Sequence, residues 1–153
     1  MMAQPNNTLN ASFQQKSTAV SLVVILSAAA FTFFRLWQMA QSPEALQATS
    51  ALPAGFWPLM IGMVILIVVM QIVLQTVLVI GQGSANPPTA HEKMAAQKAS
   101  RNAYYVLATG VFGVFASLLF SPTPFVMGSL LLVALILAET VKFASQLVYA
   151  GAQ

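Results

Sequence analysis

Residues 55–80 read GFWPLMIGMVILIVVMQIVLQTVLVI, twenty-six positions without a single Asp, Glu, Lys or Arg. At ~1.5 Å of rise per residue, such a run exceeds the roughly 20 residues needed to cross a bilayer's ~30 Å hydrocarbon core. It carries no polar alternation that would let one face meet water, so its reading is a transmembrane helix.

Three further runs follow the same rule. The first spans about 18–38 and is uncharged until Arg35. The third covers 90–120, with a membrane part from Ala103 to Phe120 opened by Tyr104 and Tyr105. The fourth, 125–149, begins after Ser121-Pro122-Thr123-Pro124 and is uncharged only as far as Ala138, so to span it must carry Glu139 and Lys142 into or beside the membrane. The expected fold class is an all-α membrane protein, four transmembrane helices in a bundle. A polar tail, residues 1–17, precedes a single domain over 18–150. The first run is longer than a signal sequence and has Gln38 where a small residue is wanted, so it is expected to stay in the chain.

Composition agrees. The chain has 153 residues, 58% hydrophobic and 6% charged, with six Lys plus Arg against three Asp plus Glu. Soluble domains carry roughly a quarter charged residues. A net +3 scattered along the chain is no phosphate-binding patch, which excludes nucleic acid as a partner. With no cysteine and one histidine, His91 in a polar stretch, neither a thiolate site nor a multi-histidine metal site can be assembled from this chain alone. No phosphate loop or nucleophile motif occurs, so the expectation is a non-enzymatic protein without cofactor, its partners being the lipid bilayer and either another membrane protein or a second copy.

Orientation follows from the basic residues. The connection 38–54 has none, whereas 81–102 holds Lys93, Lys98 and Arg101, and Lys16 and Lys142 flank the first and fourth spans. By the positive-inside rule both termini and the central loop are expected to be cytoplasmic, Arg35 being the one count against. Trp37, Trp57, Tyr104, Tyr105 and Tyr149 all fall at predicted edges, where interfacial rings anchor. Thr89-Ala90-His91-Glu92 reads as a capping box, so helix three is expected to start near Ala90 as a cytoplasmic stem bearing Lys93, Lys98 and Arg101. That stem either rests on anionic headgroups or stands in solvent and fixes topology.

Deep polar groups are few. Gln71 and Gln75 share a face of helix two, and by this topology Glu139 lies at similar depth on helix four. Glu139 has three readings: a pair with Lys142, an acceptor for Gln71 or Gln75 joining two helices, or part of a proton or ion path. Thr109, Gly113 and Ser117 recur every fourth position on helix three, a ribbon suited to close helix packing within the chain or against a partner.

Two sets of stretches carry two resemblances. Glu92-Lys93, then Lys98 through Leu107, and Leu137 through Tyr149 resemble an uncharacterised bacterial family of small four-helix inner-membrane proteins. Gly55-Phe56-Trp57-Pro58 and Gly113 through Phe120 are similar to the small membrane subunit of tripartite tricarboxylate transporters. The first resemblance implies a bacterial inner-membrane protein in which Glu139 and Lys142 are a family feature. The resulting expectation is an accessory, assembly or regulatory component; the alternatives are a transporter subunit assisting a larger permease, or a small proton- or solute-conducting protein using Glu139.

Overall fold

A computed structural model describes residues 6–46, 52–81 and 90–151. Every regular element among them is helical: α1 (Asn6–Ala40), a short α2 (Pro43–Leu46), α3 (Phe56–Gly81), α4 (Ala90–Ser117), a 3₁₀ turn (Leu118–Phe120) and α5 (Pro124–Gly151). Four of them are long and apolar enough to cross a membrane, at Ser17–Ala40, Phe56–Val73, Lys93–Phe120 and Pro124–Tyr149. The chain is therefore an all-α, multi-pass membrane protein.

Helix ends follow local chemistry. No Gly or Pro interrupts residues 6–40, so α1 takes in the polar segment ahead of Ser17 as helix from Asn6 onward. Ser42 Oγ accepts a hydrogen bond from Ala45 N at 3.4 Å and starts α2, with Pro43 at the first helical position. Thr123 does the same for α5: its Oγ1 accepts from Val126 N at 3.4 Å, and Pro124 follows. Ser121, at φ 50°, reverses the chain after the 3₁₀ turn. Thr89 and the side chain of Glu92 lie outside the described residues, as does the capping box they would form.

The inward face of α1 is Thr18, Ser21, Ile25, Ala29, Thr32, Leu36 and Met39, a 3-and-4 spacing that keeps one stripe turned to its neighbours. α1 packs on both α3 and α5, and α5 packs on α4. Contact pairs give directions. Thr32 meets Met63 and Met39 meets Gly55, so α1 and α3 are antiparallel. Gly110 meets Ala134 and Asn102 meets Tyr149, so α4 and α5 are antiparallel. α3 and α5 run parallel, because Phe56 stacks edge-on to Phe125 at one end (ring centroids 5.5 Å apart) and Gln71 reaches Glu139 about 15 residues further on, ~22 Å along each axis.

α5 is buried on two faces. Phe125, Leu132, Ile136 and Phe143 enter the core shared with α1, while Ala134 and Ala138 are buried beside α4. The α4 face that meets them is Ala99, Ala103, Gly110 and Val114. A Cβ placed on Gly110 would collide with Ala134 Cβ, so these two backbones approach as closely as glycine allows.

Of the two uses expected for the Thr109, Gly113 and Ser117 ribbon, packing within the chain is not what α4 makes of it. Gly113 is exposed, and a Cβ added there would meet nothing within 4 Å. Thr109 Oγ1 donates to Tyr105 O at 2.8 Å and Ser117 Oγ to Val114 O at 2.7 Å, which satisfies both hydroxyls within α4 itself. Within this chain the packing stripe is the neighbouring one, through Gly110, because α5 offers its small side chains in register with Gly110.

Candidate functional site

The polar groups gather along one side of α5, on Glu139, Lys142, Ser145 and Tyr149, spaced three, three and four so that they share a stripe. Glu139 is 14% exposed and Lys142 21%, so the pair is largely withdrawn from the surface. Lys142 Nζ donates to Glu139 Oε2 at 3.4 Å, and Gln71 Nε2, arriving from α3, donates to Glu139 Oε1 at 3.1 Å. Each carboxylate oxygen therefore has its own donor. Two of the readings open at the sequence level, ion pair and interhelical link, hold together in one arrangement. The side chain of Gln75 lies outside the described residues.

About one turn further along α5 stands a second polar junction that sequence reasoning did not single out. Asn102 Nδ2 donates to Tyr149 OH at 3.0 Å and to Ser145 Oγ at 3.4 Å, tying α4 to α5 where α4 enters its basic stem. The signal was present: an amide at the stem's end, opposite a Ser and a Tyr at helical spacing. Tyr149 is thus half-buried and occupied by a protein partner, unlike Tyr104 and Tyr105, which are exposed. Trp37 and Trp57 are also exposed, both beside the α1–α3 connection. Lys93, Lys98 and Arg101 project outward from the stem, away from the α4–α5 contact made by Ala99 and Ala103.

Chemically the α5 stripe is a clamp. In hydrocarbon an unsatisfied polar group costs several kcal/mol, so a carboxylate with two donors and an amide with two acceptors fix the register of α3 and α4 against α5. Among the described residues no group of three His, Asp or Glu converges. The cluster offers one carboxylate, already committed to a cation and an amide, and no nucleophile beside a base.

No curated protein and no solved structure matches the chain. One family profile, described as Transmembrane Fragile-X-F protein, aligns with residues 8–150. That alignment overturns both resemblances drawn from short stretches. The bacterial inner-membrane family rested on residues 92–149, and the tricarboxylate-transporter subunit on 55–58 and 113–120. Such segments are mostly apolar, and paired interfacial tyrosines or a Glu and Lys three residues apart suit any helix emerging from a bilayer. The assignments of a bacterial source and of a permease partner rested on them and go with them. By an alignment that takes in all four spans, this chain belongs to the Transmembrane Fragile-X-F protein family.

Proposed function

We propose that this protein is a non-catalytic membrane component that works by assembling with another membrane-spanning chain, as an accessory, assembly or regulatory subunit. One observation carries the reading: α4 presents two small-residue stripes and uses only one. Gly110 is consumed by α5, while Gly113, flanked by Thr109 and Ser117, faces outward with open space above its backbone. A stripe of small residues lets the backbone of a second helix approach closely enough to gain dispersion contacts along it. The charge placement supports an orientation with both termini and the Lys93, Lys98 and Arg101 stem on the cytoplasmic side, near anionic headgroups.

Glu139 supports the same conclusion. A proton or solute path wants an ionisable group free to exchange partners, and this one is held on both oxygens. The test is the mass of the particle extracted in mild detergent, by light scattering and native mass spectrometry. The expected result is a complex heavier than the 16.3 kDa chain that collapses to it when Gly113 becomes Leu. A wild-type particle of one chain alone overturns the reading.

A further inference from the structure

Between α1 and α3, at the end that holds their connection, lies an open groove of about 450 Å³, lined by residues of these two helices and of the turn before α3. Its volume falls in the range of about 300–1,000 Å³ usual for ligand sites. One wall runs from Gly55, just before α3, to Leu66, eleven steps or ~16 Å of rise, and the wall on α1 from Arg35 back to Ala28. Half of a ~30 Å hydrocarbon core is about that length, so the groove extends from the interface to the middle of the bilayer, the depth of one leaflet.

Its chemistry changes along that length. The inner part is apolar, and the only hydroxyl on its floor, Thr32, donates to Met63 Sδ at 3.6 Å. The outer end carries a permanent cation. Arg35 is exposed, lies five residues before the end of the first span, and reaches toward Gly55, whose backbone at φ +89° has no side chain to block the mouth. Its Nη1 donates to a neutral acceptor, Gln38 Oε1 at 3.3 Å, and the one ion pair among the described residues is elsewhere, between Lys142 and Glu139. The side chain of Glu44, on α2, lies outside the described residues. Halfway along, Gly62 leaves the groove open, for a Cβ there would meet nothing within 4 Å.

From this juxtaposition we infer that the α1–α3 groove holds one anionic phospholipid, an acyl chain lying along Gly62 toward Leu66 and the phosphate on the Arg35 guanidinium. A planar guanidinium binds phosphate through two parallel hydrogen bonds, and the exposed Trp37 and Trp57, next to the α1–α3 connection, suit the headgroup level at this end. The cation that counts against the orientation rule then has a use: it recognises a headgroup.

The experiment uses the full chain in nanodiscs of equal parts phosphatidylglycerol and phosphatidylcholine, with lipids retained on release counted by native mass spectrometry. The expected result is one phosphatidylglycerol retained in preference to phosphatidylcholine. R35Q should lower that preference about tenfold. G62L, which fills the groove without touching Arg35, should remove retention of both lipids while helicity stays unchanged. Equal retention of the two lipids by the wild type overturns the headgroup assignment, and G62L retaining lipid like the wild type overturns the groove.

Discussion

Gln71 Nε2 lies 3.1 Å from Glu139 Oε1, joining α3 to α5, two helices that also meet near their starts, where Phe56 stacks on Phe125. Removing the amide with Q71L leaves that oxygen without a donor. Hydrogen bonds between membrane helices average about 0.6 kcal/mol with a maximum near 1.7, so Q71L should cost about 1 kcal/mol. K142A should cost more, because the carboxylate loses its cation and not merely one dipole. Thermal unfolding in detergent followed by circular dichroism ranks the two, and the reverse order would sink the assignment of Lys142 as the principal partner.

Gly110 and Gly113 lie on the same helix and should respond oppositely. A Cβ at Gly110 collides with Ala134 and must push α4 from α5, at a cost of roughly 1–3 kcal/mol. G113A meets only open space and replaces a poor helix former, so the isolated chain should hold or gain up to about 1 kcal/mol. A Leu at 113 should likewise leave single-chain stability intact while disrupting the larger particle, which separates packing within the chain from assembly. Paired melting and mass measurements on the variants decide this.

Phe56 is sealed against the backbone of Gly128, where a Cβ would come within 2.7 Å of the ring. F56A should leave a cavity costing about 3–5 kcal/mol. G128A should destabilise by overpacking, and shortening the ring in the G128A/F56L double variant should recover part of that loss. Additive losses in the double-variant cycle would show that the two residues do not share the contact.

Gly55 adopts φ +89° in the turn that starts α3, a conformation open to glycine but costing other residues about 1–2 kcal/mol. G55A should therefore lower stability by about that amount, since Met39 Cε at 3.4 Å would be in ordinary contact with the added methyl. A melting temperature unchanged from the wild type would contradict the turn geometry.

The chain contains no cysteine, so single-cysteine variants report sidedness without background. In sealed vesicles of known orientation, S42C and K98C should react with a membrane-impermeant maleimide from opposite sides, K98C from the cytoplasmic side. Labelling of both from one side would refute the four-span topology.

Much of this fold is legible in one dimension. A bilayer demands about 20 apolar residues per crossing and tolerates turns only between crossings, so run length, the prolines at 43, 122 and 124, and the basic cluster at 93–101 mark the four spans directly. The depth match of Gln71 with Glu139 is readable for the same reason, since rise per residue converts position into depth. Other choices are absent from the linear pattern. Lipid tails are as apolar as Leu and Val, so hydropathy does not separate a lipid-facing stripe from a buried one, and Thr109, Gly113 and Ser117 look as suited to packing as Ala103 and Gly110. Only the tertiary structure sets Ala134 against Gly110, Asn102 between Ser145 and Tyr149, and Arg35 at the head of a groove one leaflet deep, because each depends on the fit of two surfaces far apart in the chain.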